Sequence, residues 1–495
     1  MHAKDIITGR EGICATDRGV HRQISREVHR KVHRKVHVVG IGGAGMSAIA
    51  RVLRGWGLEV HGSDRRSSPI TEALMGEGIP VEIGHRAESV GDADLVLASS
   101  AVPEENVELM TARRRGIRVT RRPEFLSTLT AGYDVIAVAG AHGKTTVTGM
   151  ITLVLREAGL DPTYIVGGVL ANLGTNGGAG EGRHFVIEAD EYQKTFLALR
   201  PNIAVVTNVE FDHPDCFPDI GFVRLAFGEF VDNIEPEGLL VACANDEIAH
   251  AIAASYHASG GRVALYGRAM DPGDLASDWT WQASDLRSDP GGGVSFTAMR
   301  GGEEMGQVHL RVPGEFNVLN ALAALSVAAE LDIEWACAQR ALESFAGTAR
   351  RFEVLGEVGG VTVIDDYAHH PTQIQGVLRA ARARYDNRRL VAVWEPHTFS
   401  RVRALREAFM HAFDEADQVV IMPIYPAREI DDGSLTAHDL APDVAHPRVW
   451  SAESLEDAVT YLAATVQAGD VVMMMGAGNE YLAGRKLLER LARDA

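Results

Sequence analysis

Cysteine is scarce in this chain, and its spacing argues against two common kinds of site. The four cysteines, Cys14, Cys216, Cys243 and Cys337, lie far apart, and none of them forms a C-x-x-C pair. Structural zinc sites need clustered cysteine or histidine ligands, and disulfide-stapled domains need a dense set of cysteines. The sequence therefore favours neither a zinc site nor a disulfide framework.

Long hydrophobic runs and excess positive charge are also missing. No run of about 18 apolar residues occurs, and the N-terminus carries no apolar signal segment, so we expect no membrane insertion and a cytoplasmic protein. With 48 Lys and Arg against 67 Asp and Glu, the formal net charge is −19, which disfavours general nucleic-acid binding. An anionic ligand must therefore be bound by glycine loops, helix N-termini or a few placed cations.

The order of the predicted elements indicates the fold class. A chain of 495 residues predicts three domains at about 150 residues each. Apolar strands alternate with helical stretches from Val36 onward, which is typical of α/β domains with mainly parallel sheets flanked by helices. The alternation restarts near residues 132 and 347, so we expect domains at 36–131, 132–346 and 347–495. Residues 1–35 end in a basic, histidine-containing segment and are expected to be a solvated leader extension with no assigned role.

A first glycine-rich loop follows the first strand and opens a helix. It contains Gly40, Gly42, Gly43 and Gly45, and Asp64 closes the next strand. This arrangement is typical of a Rossmann-like domain, in which a pyrophosphate lies at the helix N-terminus. The pattern favours a phosphate-containing ligand but leaves open whether the ligand is NAD, FAD or another nucleotide diphosphate.

A second loop gives a stronger signal for phosphate binding. Its residues are Gly140, Ala141, His142, Gly143, Lys144, Thr145 and Thr146, between a predicted strand and a predicted helix. Backbone N–H groups of such a loop wrap phosphates, Lys144 can neutralise the terminal phosphoryl oxygens, and the Thr145 hydroxyl can coordinate Mg²⁺. The loop departs from the usual spacing of this motif, because Val138 stands where the first glycine is normally found.

Acidic residues follow two further strands whose carboxyl ends should meet this loop. One strand ends at Glu188, and the other is followed by His213; this pair beside Thr145 predicts a magnesium site. For the three neighbouring acids Asp190, Glu191 and Glu210, taken individually, we expect a solvated rim.

Taken together, the motifs resemble the Mur ligase family of peptidoglycan synthesis. The segments that carry the resemblance recur in order over about residues 36–490: GIGGAGMSAIA, AHGKTT, EADE, NVEFDH, PGEFNVLNALAA, RRFE, DDYAHHPT and EPHTFSR. AHGKTT is typical of the family as a whole. GMSAIA, DDYAHHPT and PHTFSR favour the member that adds L-alanine to UDP-N-acetylmuramate. The resemblance implies a Rossmann-like sugar-nucleotide domain, a central P-loop-type ATPase domain and a Rossmann-like ligase domain.

The resemblance also implies roles for individual residues. The UDP sugar would be bound by the first glycine loop with Asp64, His85 and Ser100. ATP would be bound by the second loop with Asn317, Asn320, Arg351 and Asp366. The magnesium ligands would be Thr145, Glu188 and His213. The amino-acid side would be formed by Tyr367, His369, His397 and Arg401.

Three features of this chain bear on those assignments. Phe316 stands where the family usually has histidine, so we expect stacking on adenine in place of a polar contact. Thr398 stands where many members have arginine, so Arg401 is the expected cation for the alanine carboxylate. No lysine occurs between Lys194 and Lys486, which precludes the carbamylated lysine that several siblings have in their central domain.

The implied reaction is a ligation driven by ATP. ATP would phosphorylate the lactyl carboxylate of UDP-N-acetylmuramate, and the alanine nitrogen would attack the acyl phosphate to give the amide, ADP and phosphate. We expect Lys144, His213, His369 and Arg401 to be the catalytic residues, with His369 as a candidate base. The expected cation is Mg²⁺, with Mn²⁺ as an alternative. The expected partners are these small molecules alone, for a monomer or homodimer.

Three other functions remain open from the sequence. One is the sibling recycling ligase, which joins a tripeptide to the same sugar nucleotide. Another is an NAD-dependent oxidoreductase that uses the first glycine loop, although it leaves the second loop unexplained. The third is a nucleotide-binding regulator without catalysis, which the intact set of Lys144, Thr145, Glu188 and His213 disfavours.

Overall fold

The computed structural model describes residues 34–268, 280–289 and 292–494. The leader expected at 1–35 therefore lies, up to residue 33, outside the described residues. The described strands are β1 Lys35–Val39, β2 Glu59–Asp64, β3 Val81–Ile83, β4 Leu95–Ala98, β5 Arg118–Arg121, β6 Asp134–Ala139, β7 Thr163–Leu170, β8 Thr175–Gly178, β9 His184–Glu188, β10 Ile203–Val206, β11 Leu239–Cys243, β12 Arg262–Gly267, β13 Trp281–Ser288, β14 Val294–Arg300, β15 Glu303–Leu310, β16 Glu353–Val358, β17 Val361–Asp366, β18 Leu390–Trp394, β19 Gln418–Ile421, β20 Val449–Ser451 and β21 Val471–Met475.

The described α-helices flank these strands, and two short 3-10 helices lie at Ala87–Val90 and Tyr192–Ala198. The α-helices are α1 Ala44–Gly55, α2 Pro69–Gly76, α3 Val107–Arg114, α4 Arg122–Leu129, α5 Lys144–Glu157, α6 Ile220–Asp232, α7 Glu247–Ala258, α8 Phe316–Glu330, α9 Trp335–Ser344, α10 Pro371–Arg384, α11 Phe399–Ala404, α12 Arg406–Met410, α13 Ala437–Leu440, α14 Leu455–Thr465 and α15 Glu480–Asp494. Among the helices described, none is long and apolar enough to cross a bilayer.

The first sheet has the order β3-β2-β1-β4-β5, and its described strand pairs are all parallel. Val36 pairs with Val60 on one side and with Leu95 on the other. Strand order reverses at β1, so the loop that follows β1 lies at the carboxyl edge where ligands bind in open α/β sheets. The first glycine loop occupies this position.

The second sheet has the order β15-β14-β13-β12-β11-β10-β6-β9-β7-β8. Its centre is parallel, with β6 between β10 and β9. The antiparallel pairs are β13–β14, β14–β15 and β7–β8, which extend the sheet at its two ends. The carboxyl ends of β6, β9 and β10 therefore meet at one edge, as the acidic segments after the two strands predict.

The third sheet has the order β16-β17-β21-β18-β19-β20, with β16 antiparallel to β17 and the other pairs parallel. Apolar side chains cover both faces, because parallel strands are buried on both sides by helices. The α/β class with mainly parallel sheets is thus confirmed.

The first two sheets share a hydrophobic core. One continuous cluster of buried side chains runs from Val36 and Leu53 in the first unit to Phe185 and Phe227 in the second. A separate cluster fills the other face of the second sheet, where α5 and α8 pack. The third sheet has clusters of its own. The first two units are therefore joined by apolar packing. The contacts between the second and third units, described below, are polar.

Candidate active site

The second glycine loop is held tightly between β10 and α8. Gly140 has φ of 141°, and a Cβ there would lie 1.9 Å from Thr207 Oγ1. A Cβ on Gly143 would lie 2.6 Å from Asn320 Oδ1. Only glycine fits such close approaches. The loop leads directly into α5, and a helix N-terminus of this kind can bind an anion through its free N–H groups.

Lys144, at the start of α5, is paired with a buried carboxylate. Its Nζ donates to both oxygens of Glu191 at 2.9 and 2.8 Å, and also to the Gly140 carbonyl. Burial alone lowers the pKa of Lys144, but the carboxylates of Glu191, Asp190 and Glu188 outweigh burial and raise it. Because Glu191 is buried, the expectation of a solvated rim is wrong for this residue: its charge is matched by Lys144.

The predicted metal ligands Thr145, Glu188 and His213 stand at the same edge of the sheet. β9 ends at Glu188, which pairs with Val138 of β6, and its carboxylate accepts a hydrogen bond from Gly167 N at 2.8 Å. His213 Nδ1 is buried without a hydrogen-bond partner among the described residues, so its ring retains coordination capacity. A hydroxyl, a carboxylate and an imidazole are suitable ligands for a divalent cation, so this donor set fits the implied metal.

A second histidine–carboxylate cluster joins the loop to α10. His142, Glu210 and His370 bring ligand-type atoms within 4.8 Å of one another. His142 Nε2 lies 3.0 Å from Glu210 Oε2, and Thr372 Oγ1 donates to the same oxygen at 2.8 Å. Burial alone raises the pKa of Glu210, but His142, His370 and Thr372 together lower it to about 2. Glu210 is therefore an interdomain hydrogen-bond acceptor and not a solvated rim residue, which corrects the expectation.

Hydrogen bonding argues against a metal in this cluster. Gln373 Oε1 accepts from the backbone N of His369 and of His370 at 3.0 and 3.3 Å, so its Nε2 is the atom that faces His142 Nδ1 at 2.8 Å. His142 Nδ1 is therefore an acceptor, and the ring proton lies on Nε2, where it is donated to Glu210. A metal would need the Nε2 lone pair, so the cluster links two domains by hydrogen bonds.

A cavity of about 540 Å³ opens beside the second loop. Its wall contains the residues that the resemblance assigns to ATP outside the loop: Asn317, Asn320, Arg351 and Asp366. Phe316 also lines the cavity and is 39% exposed, so its ring face is available for stacking.

The first glycine loop is closed by Asp64. Gly42 N donates to Asp64 Oδ2 at 2.9 Å, so the carboxylate holds the turn formed by Gly40, Gly42, Gly43 and Gly45. Ser100 lies exposed on the loop after β4. Arg122 of α4 lies against Gly45 and reaches Asp190 of the second unit at 3.5 Å. This contact links the first glycine loop to the segment that follows β9 in the second unit.

His85 lies at the carboxyl edge of the first sheet, as the first glycine loop does, and contacts the buried Glu108 carboxylate. Its Nδ1 is 3.1 Å from Ser63 Oγ and 3.4 Å from Glu108 Oε2. Glu108 is fully buried and also accepts from Ser63 at 2.6 Å. Glu108 was not singled out from the sequence, because an acid within a helix gives no signal that distinguishes it from a solvated one.

The residues predicted for the amino-acid side meet around Asp212. Arg401 Nε donates to Asp212 Oδ1 at 2.7 Å, and Arg401 Nη1 lies 2.9 Å from His397 Nδ1. The rings of His369 and His397 are 5.8 Å apart, and those of Tyr367 and His369 5.1 Å apart. Arg401 is buried, so its charge is already matched by Asp212, a pairing that the motif did not predict.

The imidazoles of His369 and His397 are both neutral near pH 7. Burial, together with the Arg401 charge, holds the pKa of His369 well below its ordinary value and lowers that of His397 to about 3. His369 Nδ1 donates to the Tyr367 carbonyl at 2.8 Å, which leaves the lone pair on Nε2. Burial alone raises the pKa of Asp212, but Arg401, His213 and His369 lower it well below the ordinary value. Asp212 is therefore a permanent anion in this cluster.

Comparison with known protein families agrees with this geometry. Three family models match in order: the Mur ligase family catalytic domain over residues 35–134, the Mur ligase middle domain over 138–328, and the Mur ligase glutamate ligase domain over 350–478. The chain belongs to the Mur ligase family. The resemblance and the enzyme class expected from the motifs are thus confirmed, and enzymes of this family use ATP with a divalent metal.

Individual relatives make the comparison more specific. A UDP-N-acetylmuramate–L-alanine ligase of Kineococcus radiotolerans is 44% identical over 461 residues, which cover 92% of this chain and 96% of that protein. The crystal structure of the UDP-N-acetylmuramate–alanine ligase of Thermotoga maritima matches with a TM-score of 0.78 at 28% identity, covering 93% and 100% of the two chains. A murein peptide ligase of Psychrobacter arcticus matches with a TM-score of 0.71 at 28% identity, covering 92% and 98%.

Proposed function

We propose that this enzyme joins L-alanine to the lactyl carboxylate of UDP-N-acetylmuramate with consumption of ATP, a step of peptidoglycan precursor synthesis in the cytoplasm. The observation that carries the proposal is the phosphate loop with Lys144, which opens onto a cavity lined by Asn317, Asn320, Arg351 and Asp366. The 44% identical relative with the same named activity supports the choice of substrates. The three sheets support domain boundaries near residues 131 and 346.

In this proposal, each substrate is bound mainly by a different domain. The UDP sugar lies on the loop from Gly40 to Gly45, with Asp64, His85 and Ser100 at the same sheet edge. ATP lies in the cavity, with its phosphates on the loop from Gly140 to Thr146. L-Alanine lies near Tyr367, His369, His397 and Arg401. Family membership removes the oxidoreductase alternative for the first loop.

Phosphoryl transfer to a carboxylate is mainly a problem of charge. Lys144 donates to the phosphoryl oxygens and neutralises the charge that spreads over them during transfer. For this role, its ammonium must leave Glu191. Thr145, Glu188 and His213 would hold the divalent cation, for which we propose Mg²⁺ with Mn²⁺ as a substitute. A divalent cation held by these residues would supply positive charge that offsets the negative charge of the phosphates.

Attack on the acyl phosphate requires a neutral amine. We assign His369 as the base, because its Nε2 carries the lone pair and because burial and the Arg401 charge lower its pKa and keep the ring neutral. Its lowered pKa makes it a weak proton acceptor, so its contribution depends on position beside the amine. Arg401 faces the same cluster, where its charge is shared between Asp212 and an incoming alanine carboxylate.

The competing function within the family is ligation of a ready-made peptide. The match to a murein peptide ligase at 28% identity keeps this candidate in consideration. Free L-alanine is favoured because the relative with that named activity is 44% identical over most of both chains.

Phosphate release distinguishes these functions directly. We expect release from ATP with UDP-N-acetylmuramate to depend on L-alanine, and a tripeptide acceptor to support little release. The amide product is identified by mass spectrometry, with reactions that lack the sugar nucleotide as the control. Preference for the tripeptide, or release that ignores every acceptor, contradicts the proposal.

A further inference from the structure

Two arginines at the junction between the second and third units face different surroundings. Arg351 lines the nucleotide cavity, whereas the preceding Arg350 contacts the interior of the third unit. Arg350 has φ of 59° and Phe352 has φ of 52°, so the backbone here adopts an unusual left-handed conformation. Such a conformation persists only when the surroundings hold it in place.

A series of cation–π contacts connects the two arginines. The Arg350 Cζ atom lies 4.9 Å from the ring centre of Tyr481 and 5.0 Å from that of Tyr367. The Arg351 Cζ atom lies 5.2 Å from the same Tyr367 ring. The contacts therefore run from Tyr481 through Arg350 and Tyr367 to Arg351, which is at the cavity.

Buried carboxylates anchor the inner end of this series. Arg350 Nη2 donates to Glu480, which is fully buried, and to the Gly476 carbonyl at 3.3 Å. Arg350 Nε lies 3.3 Å from the buried Asp365 carboxylate. Burial alone lowers the pKa of Arg350, but Glu480 and Asp365 outweigh it. The Arg350 guanidinium is thus held from several sides by groups of the third unit.

The main chain at Arg350 is fixed as well. Its carbonyl accepts from Tyr367 N at 2.8 Å, and its N–H donates to Glu353 at 2.8 Å. Side-chain and backbone contacts therefore both hold Tyr367 against Arg350. The Tyr367 ring in turn restricts the Arg351 guanidinium, which has a long and otherwise adaptable side chain.

We propose that Arg350 is a positioning residue for nucleotide binding: anchored by Glu480, it holds Tyr367 so that Arg351 is oriented toward ATP in the cavity. The inference rests on the proposed function only in that ATP is the ligand of this cavity. A planar guanidinium is required, because an ammonium at the same place could pair with Glu480 but could not stack on both rings.

The test measures binding of a non-hydrolysable ATP analogue with Mg²⁺ by calorimetry, together with the KM of each substrate. We expect Arg350→Lys to raise the dissociation constant about tenfold and to raise the KM for ATP similarly. The KM for UDP-N-acetylmuramate, which is bound by the first unit, should stay within about twofold. Arg485→Lys is the matched control, because this arginine is exposed on α15 and lies 5.8 Å from the Tyr481 ring.

Tyr481 provides a second variant pair should Arg350→Lys fail to fold. Tyr481→Leu removes the ring that contacts Arg350 and should weaken nucleotide binding. Tyr481→Phe keeps the ring and should retain wild-type affinity for the nucleotide. Wild-type affinity in folded Arg350→Lys or Tyr481→Leu overturns the proposal, and so does an equal rise in the KM values for ATP and UDP-N-acetylmuramate. Calorimetry measures binding and does not require the ligation reaction. A wild-type protein that binds the analogue but shows no alanine-dependent phosphate release would therefore contradict the proposed function and leave this inference standing.

Discussion

Lys144 is paired with the Glu191 carboxylate, which in the proposed function competes with the phosphates of ATP for the same ammonium. The pair between Lys144 and Glu191 is buried and hydrogen-bonded through both carboxylate oxygens. ATP bound as proposed would therefore replace the Glu191 carboxylate at this ammonium. This exchange gives two predictions about single residues.

The first prediction concerns the loss of the lysine. Lys144→Ala should lower alanine-dependent phosphate release by at least about 100- to 1000-fold, because the developing phosphoryl charge loses its main cationic partner. Circular dichroism should show an unchanged fold. Lys144→Ala also leaves the buried Glu191 carboxylate without its partner. The double variant Lys144→Ala/Glu191→Gln removes that unpaired charge and should be equally inactive. Phosphate release at the wild-type rate in either variant contradicts the role of Lys144.

The second prediction concerns the competing carboxylate. Glu191→Gln should strengthen binding of a non-hydrolysable ATP analogue by about five- to tenfold in calorimetry, because the neutral amide holds Lys144 less tightly. Glu229→Gln is the matched control, because it removes an exposed carboxylate paired with exposed Lys194 and should leave affinity unchanged. Weaker or equal binding by Glu191→Gln would rule out the competition.

At the scale of elements, the buried apolar strands agree with the prediction, whereas three strands rich in glycine or polar residues do not. Apolar runs such as DVIAVA and DVVMMM became buried parallel strands because both faces are covered by helices. β7, β8 and β16 were not predicted. They contain several glycines and polar residues, so they lack the period-two or fully apolar pattern that identifies a strand.

The helix α15 begins with a buried acid, which makes the third unit sensitive to pH. Glu480 at its first position and Glu395 after β18 are both buried, and backbone N–H groups of Gly478 and Asn479 donate to them at 3.1 and 2.7 Å. Burial and the neighbouring Glu480 carboxyl raise the pKa of Glu395 far above its ordinary value of 4.5. Burial also raises the pKa of Asp365 to about 7.

A pH-dependent stability follows from the raised pKa of Glu395. The folded state keeps a proton that the unfolded state loses above about pH 4.5, so the contribution of Glu395 to stability is greatest below that pH and falls as pH rises, by up to about 1.4 kcal/mol per unit. The Tm of the wild type minus that of Glu395→Gln should therefore fall between about pH 5 and pH 8, whereas the same difference for exposed Glu453→Gln should stay constant. A difference for Glu395→Gln that stays constant or rises over this range contradicts the assignment.

At the scale of the whole molecule, the third unit contacts the second through charged and polar groups. Asp212 binds Arg401 at 2.7 Å in a buried pair, and Asp215 binds Arg428 at the surface. Glu210 also accepts from Thr372 at the start of α10. Such contacts are specific but separable, because each depends on matched charges and not on a continuous apolar core.

We predict that loss of the Asp212 charge weakens docking of the third unit. Asp212→Asn leaves the Arg401 charge buried beside a neutral partner. Breaking a buried ion pair in this way destabilises the folded state by about 3–5 kcal/mol. We expect a larger radius of gyration by small-angle X-ray scattering and a separate, lower melting transition for the third unit. Asp215→Asn makes the same chemical change in an exposed pair worth about 1 kcal/mol or less and should leave both readouts near wild type. Identical behaviour of the two variants contradicts this account.

Much of this protein was readable from its sequence because the relevant physics is local. Glycine loops between a strand and a helix, apolar runs and the spacing of Lys144 and Thr145 reflect backbone geometry over a few residues. These patterns predicted the α/β class and the edge at which the second glycine loop, Glu188 and His213 meet. The motif resemblance predicted the family.

Only the tertiary structure decided which charges face each other. A sequence does not distinguish a buried acid from a solvated one, because burial depends on elements far apart along the chain. Glu191 opposite Lys144, Asp212 opposite Arg401 and Glu480 opposite Arg350 are separated by 47, 189 and 130 residues. Their strength comes from exclusion of water, which requires the folded core and docked domains around them.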